Sequence, residues 1–134
     1  MSGADVFIAS LKRCLDRPEF LLDFYGLFMD SSEEVRRKFA NTDIKKQTRV
    51  LADSFWAMSV AAQGPRTSAA WGDLPRLAVR HNRHDLDIPP HLYDTWLDCL
   101  IQAVRKHDTQ FSAEVETAWR SSLAASIDYM RSKY

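Results

Sequence analysis

Cysteine, glycine and proline are scarce in this chain: two, four and five among 134 residues. The cysteines, Cys14 and Cys99, are far apart and lie inside segments of helical pattern. That placement excludes a disulfide scaffold and any metal motif built on closely spaced cysteines, and both thiols are expected to pack as small apolar groups. Net charge is also missing, with 18 Lys and Arg against 18 Asp and Glu. A balanced surface has no general attraction for nucleic acid or for an anionic membrane. No stretch approaches the roughly 18 uninterrupted apolar residues of a membrane span. The segment Met1-Ser-Gly-Ala-Asp5 lacks the basic and apolar parts of a secretion signal, so a cytoplasmic location is expected. There is no internal repeat, low-complexity tract or linker, and one domain over residues 1–134 is expected.

What the chain does have is helical period. Hydrophobic residues make up 46% of it, and no segment sustains strand alternation, which predicts an all-α fold of about seven helices. The first is expected over Gly3–Leu15 with Val6, Phe7, Leu11 and Cys14 inward. Pro18 suits the first turn of a second helix carrying Phe20, Leu21, Phe24, Tyr25 and Phe28. Glu33–Lys38 reads as a short third helix, acidic at its start and basic at its end, which complements the helix dipole. Asn41-Thr42-Asp43 offers cap chemistry for a long helix reaching about Ala62. Residues 63–72 hold Gly64, Pro65 and Gly72 and form the clearest loop. Pro89-Pro90 opens a helix with Tyr93, Trp96, Leu97, Leu100, Ile101 and Val104 at steps of three and four. Ser112 can cap a last helix with Val115, Trp119, Leu123, Ile127 and Met130 inward.

Two polar residues interrupt this apolar patterning. His81 follows Leu74, Leu77 and Ala78 by seven, four and three residues, so on a helix it ends an apolar stripe. Gln47 shares a helical face with Ile44, Leu51, Ser54 and Met58. A lone inward histidine is commonly a core residue bonded to a backbone carbonyl. Paired with an inward glutamine on another helix, it suggests an enclosed site whose guest needs one nitrogen ligand, and haem fits that description best. His84 is the rival ligand, three residues on, but it sits between Arg83 and Asp85; with Arg83 it is better suited to haem propionates. His91 and His107 have polar neighbours near helix ends and are expected to be exposed. The basic runs Arg36-Arg37-Lys38 and Lys45-Lys46 read as solvated faces.

The order of these motifs resembles the globins, in particular bacterial single-domain globins and the globin module of flavohaemoglobins. Phe24-Tyr25 followed by Ser32 to Phe39 resembles that group's second helix and the phenylalanine against the haem face. Gln47 and Leu51 resemble its distal glutamine and the apolar residue one turn later. Leu77-Ala-Val-Arg-His81 resembles the segment ending in the proximal histidine, Ile88-Pro-Pro-His-Leu-Tyr93 the start of the next helix, and Ala118-Trp119 the last helix. The resemblance spans about Leu11 to Met130. It implies a globin fold around haem b, with His81 on the iron through its outer ring nitrogen. Phe39, Leu77, His84, Ile88 and Tyr93 would line the cofactor, and Tyr25, Gln47 and Leu51 would form the distal side. Counting back from Phe39 makes Tyr25 the distal residue of the second helix, whereas counting from Phe28 favours Phe24.

Two spacings depart from the flavohaemoglobin pattern: Phe39 to Gln47 is slightly shorter, and His81 to Tyr93 slightly longer. No glutamate of the last helix stands where that group supports its proximal histidine, so a strong electron push from His81 is not implied. The function implied is reversible binding of dioxygen or another diatomic gas as a carrier, store or scavenger, by a monomer or homodimer. Two further functions stay open. One is a nitric oxide dioxygenase served by a separate reductase, because the chain has no flavin or nicotinamide domain. The other is a haem-free sensing or interaction module.

Overall fold

The computed structural model describes residues 2–63 and 89–132, apart from the side chains of Ala57 and residues 59–63. Six helices and no strands occur among the described residues: α1 (Gly3–Leu15), α2 (Phe20–Ser31), α3 (Glu33–Lys38), α4 (Ile44–Gln63), α5 (His91–His107) and α6 (Ala113–Ser132). The helix expected to carry His81, and the loop preceding it, lie outside the described residues.

Local chemistry explains most of the helix starts. Ser2 and Asp5 form a reciprocal cap on α1, each side chain accepting the other's backbone N–H at 3.2 Å, so two otherwise unpaired groups are satisfied. Ser32, in extended backbone, ends α2 and caps α3 by accepting the Val35 N–H at 3.2 Å. Asp43 accepts the Lys46 N–H at 3.2 Å ahead of α4, and Ser112 accepts the Val115 N–H at 3.3 Å ahead of α6. Pro89 and Pro90 supply carbonyls to the first N–H groups of α5. Pro18 does not lie within α2. The α1–α2 corner instead closes on its own backbone, Arg17 N–H to the Cys14 carbonyl and Phe20 N–H to the Arg17 carbonyl.

The helices pack mainly as α2 on α5, α1 on α6 and α4 on α6. Trp119 of α6 is fully buried where these pairs converge. Its ring meets Phe7 of α1 at 4.8 Å, Phe55 of α4 at 5.8 Å and Phe20 of α2 at 6.3 Å between centroids, all edge-on. Edge-to-face contact aligns ring quadrupoles favourably, so one side chain orients three helices. The inward residues expected for α1 and α6 are all buried; in α5, Trp96 and Leu97 are only half-buried against the core. Cys14 and Cys99 are buried and free, as expected. No helix among the described residues is long and apolar enough to cross a membrane.

A buried polar cluster ties the far ends of the chain together. The Asp108 carboxylate accepts from Arg13 Nε at 2.6 Å, Arg13 Nη2 at 2.9 Å, Ser10 Oγ at 2.6 Å and the Gln110 amide at 2.9 Å. Ser10 also accepts from Trp119 Nε1 at 2.8 Å. His107, expected at the surface, is 4% exposed. The expectation came from its polar sequence neighbours. Burial comes instead from Arg17 and Asp23, which fold across it from the α1–α2 corner and α2. His91 is exposed as expected, its Nε2 2.7 Å from Glu34 of α3.

Candidate functional site

The two neighbouring aromatic residues of α2 touch edge to face, 4.9 Å between centroids, but reach toward different helices, because consecutive helical positions are about 100° apart. Phe24 turns toward α5. It stacks on Phe28 at 5.7 Å and meets Trp96 edge-on at 5.8 Å. Tyr25 turns toward the α3–α4 corner, its ring 6.0 Å from that of Phe39. Phe39 ends α3 with its N–H on the Val35 carbonyl, and its ring lies 5.7 Å from Phe28. Gln47, in the first turn of α4, brings its side-chain amide close enough to the Tyr25 hydroxyl to act on its acidity.

Tyr25 is 2% exposed. Burial pushes its hydroxyl up to about 12, and the Gln47 amide offsets part of that shift. At neutral pH it is therefore a protonated phenol, able to donate a hydrogen bond. Gln47 is half-buried, and Leu51, one turn further along α4, is 7% exposed within the core. Four of the expected positions are thus on three consecutive helices or their ends, and Tyr25, Phe39 and Gln47 are in mutual reach through Tyr25.

Tyr93 is buried near the start of α5, and burial pushes its hydroxyl up to about 12 as well. Its charged neighbour is Arg131 of α6, which is ion-paired to Asp94 and whose buried Nε has no hydrogen-bond partner among the described residues. Arg131 was not singled out by sequence. Asp94 lies directly after Tyr93, but nothing in the periodicity of α6 says that its last turn returns to the start of α5. Leu77, His81, His84 and Ile88 lie outside the described residues.

The globin family profile matches residues 22–130. No curated protein matches the chain in sequence. Among solved structures, the crystal structure of protein PA3967 from Pseudomonas aeruginosa PAO1, described as structurally highly homologous to a human haemoglobin, aligns with a TM-score of 0.92 and 36% identity. The alignment covers 99% of this chain and 98% of that one.

Proposed function

Because the chain belongs to the globin family, we propose that it binds haem b within one domain over residues 1–134, with His81 as the iron ligand, and reversibly binds dioxygen or another diatomic gas as a carrier, store or scavenger. The observation that carries this reading is buried Tyr25 with half-buried Gln47 next to its hydroxyl, beside Phe39. A polar pair set among aromatic and aliphatic side chains fits a flat apolar cofactor that presents a small polar ligand on one face. The haem supplies the iron at which the gas binds; the chain supplies everything around it.

In this reading Phe39 lies against the cofactor, with Leu77, Ile88 and Tyr93 completing the lining and His84 at its polar edge. Leu51 would narrow the distal space and, with the neighbouring aromatic rings, keep water out. Tyr25, protonated at its hydroxyl oxygen, would donate a hydrogen bond to a bound gas, while Gln47 would hold that hydroxyl in place or donate in turn. A hydrogen bond to a partly charged acceptor is worth roughly 1.5–3 kcal/mol, or about tenfold to more than a hundredfold in retention of the gas.

The test is the absorption spectrum of the purified chain supplied with haem, in ferric, ferrous and ferrous carbon monoxide forms, beside His81→Ala and His84→Ala. The reading expects a Soret band that responds to carbon monoxide in the parent and His84→Ala proteins and loss of stable haem binding in His81→Ala. Failure to take up haem, or uptake indifferent to His81, would overturn it.

A further inference from the structure

His107 occupies a position that the gas-binding reading does not use. Its ring is buried and packed edge-on against Phe20, with centroids 5.9 Å apart. Arg17 Nε lies 2.9 Å from Nδ1, and Asp23 Oδ2 lies 2.7 Å from Nε2. An arginine Nε–H can only donate, so Nδ1 must present its lone pair. The ring proton of the neutral form therefore sits on Nε2 and is donated to Asp23. An imidazolium carries a proton on both nitrogens. Its Nδ1–H would face the Arg17 Nε–H, donor against donor and cation against cation.

We propose that His107 is a proton-sensitive latch: when neutral it fastens the α1–α2 corner to the end of α5 through Arg17, and when protonated it releases Arg17 while keeping Asp23.

The surroundings decide which partner moves. Phe20 and Asp23 hold the ring from α2. The Arg17 side chain belongs to the exposed corner at residues 16–19 and can turn into water. Among the described residues, the charged groups facing the ring are Arg17 from the corner, Asp23 from α2, and Lys106 from α5, whose Nζ is 3.0 Å from the same Asp23 oxygen. Next along the chain, Asp108 is engaged by Arg13 and Ser10 and is not free to neutralise an imidazolium. Lys106 first, then His107, hold the Asp23 carboxyl below the usual carboxylate range, so it remains a charged acceptor as the ring gains its proton. The outcome is a corner tied while His107 is neutral and loosened once it is protonated, next to the helix that carries Tyr25.

The test is long-range proton–nitrogen NMR of the intact chain between about pH 8 and 5, the range in which histidine changes charge, following the His107 ring nitrogens and the Arg17 Nε–H. The latch requires a proton-bearing Nε2 and a bare Nδ1 at the upper end. On acidification Nδ1 gains a proton, and in the same step the Arg17 Nε–H signal shifts to that of a solvated arginine. In His107→Gln, whose amide oxygen can accept from Arg17 but does not titrate, that step disappears. A proton on Nδ1 in the neutral form would overturn the proposal. So would an Arg17 signal unmoved as His107 protonates, or one that moves equally in His107→Gln.

Discussion

Arg13 and Asp108 meet in a two-point ion pair, Nε on Oδ1 at 2.6 Å and Nη2 on Oδ2 at 2.9 Å, which fastens the last turn of α1 to the α5–α6 corner. The Asp108 side chain is fully buried, whereas that of Arg13 is 27% exposed. Deleting the carboxylate strands the Ser10 hydroxyl and a half-buried guanidinium, which removes far more than a surface pair would. Asp108→Ala is expected to cost about 3 kcal/mol of unfolding free energy, read from denaturant midpoints at unchanged slope. A loss within about 0.5 kcal/mol would mean that the pair is spectator geometry.

The same carboxylate gives the fold an acid limit. Burial alone would push the Asp108 carboxyl up, but Arg13, Ser10 and the Gln110 amide together hold it below its ordinary value. A carboxyl with a depressed folded-state value contributes stability that is complete above its unfolded value of about 3.9 and is lost as pH falls through the folded one. Denaturation measured at about pH 7, 4 and 3 should therefore show a steep acid loss in the parent and a shallower one in Asp108→Asn. Equal acid losses in the two proteins would assign the limit to other carboxylates.

How far the fold could be read from sequence follows the range of the interaction involved. The start of α1 at Gly3, the break at Ser32 and the start of α6 after Ser112 were legible because each cap joins residues three apart. The burial of His107 was not legible, since it depends on Arg17 and Asp23, brought across it by the packing of α2 on α5. Sequence left the distal residue of α2 open between Tyr25 and Phe24. The rotation of that helix is fixed when Phe24 meets Trp96, a contact between distant segments. Gln47 stood out because a polar residue broke an apolar face, and that face does carry buried Leu51, Phe55 and Met58.

Neither thiol should react in the native chain. Burial first, then the nearby Asp108 charge, pushes Cys14 up to about 12. Burial followed by the Asp98 charge also raises Cys99. Since the thiolate is the nucleophile, an aromatic disulfide reagent at neutral pH should label the native protein more than about a hundredfold slower than the denatured one, at a rate set by opening of the structure. Stoichiometric labelling at the denatured rate would show that one of these helices opens freely.

Tyr25 and Phe24, adjacent on α2 with their rings 4.9 Å apart, can be told apart as ligand donor and packing residue by substitution. In the haem-loaded protein, Tyr25→Phe removes a protonated hydroxyl and little volume. Dioxygen release should then accelerate by about tenfold to a hundredfold, measured by stopped-flow or flash photolysis. Carbon monoxide release should change less, because that ligand carries less negative charge for a donor to hold. Gln47→Leu removes the polar neighbour of the same hydroxyl, so its effect should be non-additive with that of Tyr25→Phe. Phe24→Leu is the control: it opens space against Trp96 and costs stability, about 1–3 kcal/mol, while leaving the release rate within about threefold of the parent. If Phe24→Leu changed release as much as Tyr25→Phe, the distal surface would be the Phe24 side of α2, and Tyr25 would be a core tyrosine set beside Gln47 for packing alone.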